Sequence, residues 1–354
     1  MMQNNQAIPF NKENFKQIFS ISFALVILIS IPSAVIAEFF NIPLAWFLGP
    51  MLVTSLASLM GFKIEMPRLI LSSILILLGL YIGNYIDKSL FAQMHHWIWT
   101  SLIMLVYIIF SVLIVSKYLE KFSMYDRKTS IFSAAPGALG PLMILAEDEK
   151  TDLSQVATSH LIRLIIIITV FPFIVNSFYD AKGIKIAQEV IENQNLNHLL
   201  ILIISSIILI YFFDKLRIPA ALLSGTLVAS GSLQIAEIAV YQISPDVIDY
   251  CLLVLGASVG CRFAGKTFTE ISRNALHSFI ATFLLVVLGI IAALVASLII
   301  DKNFFTLLLS YCPGGIYEVA VIAIFFDLDP EFVSFHHILR LLMILFIVPI
   351  ILKM

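Results

Sequence analysis

The sequence predicts an all-α polytopic membrane protein: two homologous halves forming inverted repeats of about five spans each, with a Pro-Gly broken or re-entrant segment per half. Three observations predict it. Hydrophobic residues make up 60% of the 354 residues and charged ones only 12%, outside the range of soluble globular chains. Apolar runs near the roughly twenty residues of a bilayer-spanning helix recur from Phe19 to Leu352. The stretch Pro136 to Pro172 also recurs, without a gap, as Pro313 to Pro349. Pro136/Pro313, Gly137/Gly314, Ala146/Ala323, Asp152/Asp329, His160/His337 and Arg163/Arg340 are all 177 positions apart, half the chain length.

The first half places spans at about 19–38, 43–61, 68–86, 97–117 and 155–177, with the Pro136-Gly137 break inside 128–150. The second half repeats them at about 199–213, 219–237, 248–265, 276–299 and 332–352, with its break inside 303–326. Ile42-Pro43 against Ile218-Pro219, and Gly79-x-x-x-Gly83 against Gly256-x-x-x-Gly260, extend the match. The runs do not alternate polar and apolar positions, which excludes a β-barrel. The domains are therefore 1–177, a polar linker 178–198, and 199–354. The linker carries Asp180, Lys182, Lys185, Glu189 and Glu192; it has room for a surface helix but not for a soluble catalytic or DNA-binding domain. The apolar run after the polar N-terminus is too long for a signal-peptide core and reads as a retained first helix.

Loop charges set the orientation. Lys12 and Lys16 place the N-terminus inside, and Lys63, Arg68, Lys117, Lys121, Arg127 and Lys128 agree after successive pairs of crossings. Lys215 and Arg217 follow the first span of the second half, and Arg262, Lys266 and Arg273 follow its third. Those loops are cytoplasmic only if the second half starts outside. That requires an odd number of crossings per half, hence inversion; a parallel six-plus-six arrangement puts them outside.

Candidate site residues cluster in the doubled stretch. Pro136 and Pro313 lack an amide donor, and Gly137, Gly314 and Gly315 permit unusual backbone geometry. Unwound backbone at membrane depth survives where it is packed in protein or lines a cavity. Two matched breaks therefore point to a shared site, against proline kinks used only for packing. His160/Arg163 and His337/Arg340 each share a helix face. An arginine two turns into an apolar run is costly without a partner. Asp152, Asp329, Glu147, Asp148, Glu149 and Glu318 are the acids within reach along the chain. The pairs read either as structural ion pairs or snorkelling side chains, or as an anion or proton site where Arg binds and His titrates. Glu318 follows the second break while Pro141 holds its counterpart position. It is either an ion-coupling carboxylate, a partner for Arg340, or a loop acid.

The Gly-x-x-x-Gly pairs predict close helix packing, and Trp97 and Trp99 predict an interfacial belt. Cys251, Cys261 and Cys312 show no CxxC spacing and read as buried thiols. His95-His96 lacks accompanying ligands, so no metal site is expected. P-loop, dinucleotide, HExxH and nucleophile-elbow motifs are absent from the sequence, as is a basic nucleic-acid stripe.

The doubled pattern PG[GA]-x(8)-A…D…H-x-x-R…P, preceded by ILLGLYIGN and LVLGASVGC, resembles the AbrB-type duplicated integral membrane proteins. That family carries the labels "AbrB family transcriptional regulator" and ammonia monooxygenase. It is similar in turn to the cation/anion antiporters and bile-acid symporters with inverted five-helix repeats. The resemblance implies a Pro-Gly-Gly followed by an acid, which Pro313, Gly314, Gly315 and Glu318 match; Ala138 and Pro141 depart from it in the first copy. A monooxygenase needs several clustered metal ligands, and a transcription factor needs an exposed basic surface. His160 and His337 are each paired with Arg rather than further ligands (His336 adds a neighbour in the second copy only), and the net charge is −2.

The expected function is ion-coupled secondary transport of a small anionic metabolite, without enzymatic activity. The alternatives are a membrane sensor or regulator acting indirectly on gene expression, and a membrane monooxygenase. No cofactor is expected. Expected partners are the lipid bilayer, a small-molecule or ion substrate and, in a homodimer, a second copy; direct nucleic-acid binding is not expected. The expected location is the inner or plasma membrane, multi-pass, with the N-terminus cytoplasmic.

Overall fold

A computed structural model describes residues 12–86, 88–137, 139–179, 196–239 and 243–353. The first half forms α1 (Lys12–Ile18), α2 (Ile21–Phe39), α3 (Ala45–Leu59), α4 (Arg68–Gly83), α5 (Lys88–Phe122), α6 (Arg127–Ala134), α7 (Leu139–Asp148) and α8 (Leu153–Phe178). The second forms α9 (Leu196–Lys215), α10 (Ala221–Ile235), α11 (Pro245–Cys261), α12 (Phe268–Ser297), α13 (Phe304–Tyr311), α14 (Ile316–Phe325) and α15 (Pro330–Lys353). No strand occurs among the described residues. Each expected span is a helix, and each Pro-Gly segment is a pair of short helices. The expected surface helix of the linker lies outside the described residues.

Among the described residues six helices are long and apolar enough to cross a bilayer: α2, α5, α8, α9, α12 and α15. Exposed apolar side chains line them, among them Ile204, Ile208 and Phe212 of α9 and Phe279 and Phe283 of α12, as a lipid solvent requires. The expected spans at 43–61, 68–86, 219–237 and 248–265 are shorter, with helices of 15, 16, 15 and 17 residues. α3 and α10 start late because Ile-Pro leads into a left-handed residue, Leu44 at φ 54° and Ala220 at φ 56°. The duplication is thus written in the backbone as well. Asn41, Leu44, Gly61 and Lys150 take positive φ, and so do their counterparts Arg217, Ala220, Glu237 and Asp327.

The chain divides into two compact units, Met1–Leu90 with Lys182–Lys266, and Phe91–Ala181 with Thr267–Met354. Each unit draws on both copies. In the first, α3 packs on α11 and α4 on α10, so each pairing joins a helix of one copy to a helix of the other. The expected glycine faces are these contacts. A Cβ on Gly79 would overlap the Thr226 side chain and lie 2.5 Å from Leu223 O; one on Gly260 would lie 2.6 Å from Ser55 N and 2.8 Å from Met51 O. Lipid tails offer no hydrophobic drive between helices, so close backbone approach and polar links do the work. Ser58 Oγ donates to Gly260 O at 3.0 Å and Ser230 Oγ to Leu80 O at 3.0 Å.

In the second unit, α12 packs on α8 and α13, and Val115, Leu119, Tyr125, Ala134, Ala281 and Leu285 form a buried cluster. α8 packs on α6 and α7, and α15 on α13 and α14. α15 also touches α6, and α8 touches α14, so each long helix meets both broken segments. Trp97 departs from expectation: it is buried, with its ring 5.2 Å from Phe332 and 5.0 Å from Phe335 of α15. Trp99 is exposed, and the side chains of His95 and His96 lie outside the described residues.

Candidate functional site

The breaks arise from local sequence. Asp126 caps α6, accepting the Thr129 N–H at 2.9 Å, and Asn303, 177 positions on, caps α13 by accepting the Phe305 N–H at 2.8 Å. Each helix then runs for eight residues, to Ala134 and to Tyr311. It stops because Pro136 or Pro313 cannot donate to the preceding turn. Both prolines are buried. A helix that stops inside protein leaves its last carbonyls bare, and leaving them unpaired there costs about 1–3 kcal/mol each.

The doubled His/Arg pairs fill this deficit. Arg163 donates through Nη1 to Ala135 O at 2.6 Å and through Nη2 to Ser133 O. Arg340 donates through Nη1 to Cys312 O and through Nη2 to Gly314 O, the latter at 2.6 Å. His160 Nε2 lies 3.0 Å from Phe132 O, and His337 Nε2 2.9 Å from Leu309 O. Both arginines are essentially fully buried, at 2% and 0% exposure. A cation at a helix C-terminus also complements the helix dipole. The acids expected as partners are not there: among the described residues no carboxylate lies in ion-pair range of either guanidinium. The sequence displays side chains, whereas the acceptors are backbone carbonyls created by the break.

The two breaks differ. Gly137 takes φ +103°, and a Cβ there would lie 2.8 Å from Arg340 Nη2 and 3.3 Å from its Nε. Arg340, on the second copy's long helix, therefore bridges its own break and the first one. Arg163 makes no such reach: the counterpart Gly314 faces Val319 and Ile167. At the second break the Glu318 carboxylate folds against Gly315, the N-cap of α14, with Cδ 2.8 Å from where a Cβ would stand. An acid on that end complements the dipole. Each guanidinium has five N–H donors, and the Nε of both has no hydrogen-bond partner among the described residues.

Asp152 and Asp329 sit elsewhere. Asp152 caps α8, accepting the Gln155 N–H at 3.1 Å and donating its own N–H to Thr129 Oγ1 at 3.1 Å. Asp329 accepts Lys302 Nζ at 3.0 Å and Thr306 Oγ1 at 3.2 Å. Eleven residues of helix, about 16 Å, separate each from the arginine of its copy. They tie the starts of the broken helices to the long ones. Glu149 pairs with Lys128 at 2.6 Å, and Glu147 and Asp148 are exposed.

Sequence reasoning passed over Thr129 and Thr306, although they too stand 177 apart. It also passed over Tyr107, buried on α5 with its hydroxyl 3.4 Å from Leu285 O and its ring 6.2 Å from that of Tyr311. His336 departs from the duplication, since Ser159 is its counterpart. It bonds Thr100 Oγ1 at 2.8 Å, while Ser159 bonds Tyr125 at 3.4 Å and Ser278 at 3.3 Å. Burial raises the Tyr125 phenol above its ordinary pKa, keeping it a neutral hydroxyl. Among the described residues no three of His, Cys, Asp and Glu are grouped to hold a metal.

A family model described as "Transition state regulatory protein AbrB" matches residues 2–84 and 46–354, two overlapping stretches. "Uncharacterized protein YhjN" of Bacillus subtilis (strain 168) is 23% identical over 292 residues, covering 77% of this chain and 75% of its own length. "Putative regulator AbrB" of Escherichia coli (strain K12) is 22% identical over 311 residues, covering 87% and 89%. No solved structure matches.

Proposed function

For a chain that belongs to the AbrB family, we propose ion-coupled secondary transport of a small anionic metabolite, with no enzymatic step. The protein would sit multi-pass in the inner or plasma membrane, as inverted repeats with the N-terminus cytoplasmic. One observation carries the reading: two buried guanidiniums stand at the breaks with carbonyl partners but no carboxylate among the described residues. Carbonyls satisfy N–H groups but do not cancel charge. A buried charge left uncompensated costs several kcal/mol, on the order of 3–5, and an anionic substrate on the spare donors would relieve it. Broken half-helices are also where secondary transporters place their binding sites, and alternating access needs two bodies, which the chain's division provides.

The second reading is a membrane sensor that binds the anion without moving it. The name of the Escherichia coli relative, a regulator, favours it. Uptake by proteoliposomes of a panel of small organic and inorganic anions, under imposed pH or sodium gradients, separates the two. Transport predicts gradient-driven uptake that Arg340→Ala abolishes. Uptake unchanged in Arg340→Ala removes the site assignment, and saturable binding without uptake favours the sensor.

A further inference from the structure

The two copies hold their histidines differently. Arg340 Nη2 lies 3.0 Å from His337 Nδ1. A guanidinium has only donors, so Nδ1 must present its lone pair. The ring proton is then on Nε2, donated to Leu309 O at 2.9 Å. This hydrogen-bond pattern assigns His337 as neutral, with one tautomer fixed by two partners. A second proton has a single place to go, Nδ1, and Arg340 blocks it. In the first copy His160 makes the same bond to a carbonyl, but His160 and Arg163 are not hydrogen-bonded to each other.

We infer that His337 is the proton-binding site of the transport cycle, interlocked with anion binding at Arg340, and that the protein is an electroneutral symporter of one proton with one monovalent anion. The inference rests on the anion-transport reading above. Protonating Nδ1 breaks its bond to Arg340, frees an Nη2 N–H, and sets two cations side by side in a water-poor interior. That state is prohibitive alone. An anion accepting the freed N–H and the unpartnered Nε–H of Arg340 cancels the added charge. Conversely, an anion that takes the freed N–H leaves Nδ1 open to a proton. Each ligand thereby favours the binding of the other.

The surrounding groups leave this logic intact. His336 and Arg340 share the helix. Cys312, just past the end of α13, and Tyr107 of α5 stand beside Arg340, Arg163 comes from α8, and Glu318 lies on Gly315 at the start of α14. The carboxylate among them sits at the positive end of its own half-helix, and the nearest charge to Nδ1 is the Arg340 guanidinium.

The test uses the full chain in liposomes, with labelled lactate, pyruvate, nitrate and chloride as probes. For a 1:1 symporter, an inward gradient of one pH unit supports about tenfold accumulation of a transported anion, since tenfold corresponds to about 1.4 kcal/mol. His337→Gln should bring that ratio to about one, whatever its rate. His277→Gln, whose histidine bonds Tyr118 away from the breaks, should keep it near ten. A His337→Gln protein that still accumulates anion tenfold overturns the inference and leaves anion transport standing. Wild-type protein that moves none of the probes under any gradient removes the transport reading and the inference with it. A second measurement does not depend on substrate or variant. Solid-state 15N NMR of histidine-labelled wild type in anion-free lipid at neutral pH should show His337 neutral with its proton on Nε2. A cationic ring, or the other tautomer, overturns the interlock.

Discussion

Replacing Gly137 by alanine tests whether Arg340 is pinned against the first break. At φ +103° the residue lies outside the conformations open to L side chains, a strain of about 1–3 kcal/mol. The added methyl would also stand 2.8 Å from Nη2 and 3.2 Å from Cζ of Arg340. The guanidinium cannot yield freely, because Cys312 O, Gly314 O and His337 Nδ1 hold it. Displacing it loses at least one charge-assisted hydrogen bond, worth about 1.5–3 kcal/mol. The total cost is about 2.5–6 kcal/mol. Gly265→Ala is the internal standard, with φ +80° and nothing within 4 Å of the new methyl; it should show the strain alone. Thermal unfolding of purified protein in detergent, followed by tryptophan fluorescence, ranks the two. A double-mutant cycle sharpens the result: in an Arg340→Ala background the cost of Gly137→Ala should fall to that of Gly265→Ala. Equal costs in the wild-type background, or additive effects in the cycle, would refute the placement of Arg340.

Three further outcomes follow from the same structure. Gly79→Ala should destabilise by about 1–3 kcal/mol through overpacking, and Thr226→Ala should restore part of it, since Thr226 is what the methyl meets; melting curves of the single and double variants decide. Glu318→Gln should cost about 0.3–2 kcal/mol by removing charge from the α14 N-terminus, more than Glu147→Gln at an exposed position; chemical unfolding compares them. Single cysteines replacing Lys63 and Lys266 should react with an impermeant thiol reagent from the same side of the membrane, and opposite sides would end the inverted-repeat proposal.

The architecture was legible because its causes are periodic and local. Apolar runs gave the long helices, and an ungapped repeat at 177 positions gave the duplication and both breaks. Gly79, Gly83, Gly256 and Gly260 announced their contacts because nothing larger fits there. Helix lengths were less legible, since the late starts of α3 and α10 depend on left-handed Leu44 and Ala220, residue types that rarely adopt that conformation. Trp97 was misread because a tryptophan near a span end is equally suited to an interior aromatic cluster, and the partners Phe332 and Phe335 lie in the other half.

At the site, the residues were found but their partners were not. Looking for acids near Arg163 and Arg340 overlooked the carbonyls that a Pro-Gly break must expose. A constant separation of 28 residues carries the real contacts, His160 to Phe132 and Arg163 to Ala135, then His337 to Leu309 and Arg340 to Cys312. Asp152 and Asp329 looked like counter-ions because they open the same helices, yet Thr129 and Thr306 engage them at the far end. The asymmetry between Glu318 and Pro141 was visible from sequence; the asymmetric reach of Arg340 depends on Gly137 and needed coordinates.

The central claim is that the two breaks hold uncompensated positive charge that an anion completes. The most direct test is an experimental structure of the protein in bromide, located by anomalous scattering. The account predicts bromide within hydrogen-bonding distance of Arg340, between the Gly137 and Gly314 breaks, and its loss in Arg340→Ala. A carboxylate side chain paired with Arg340, and no bromide there, would contradict it.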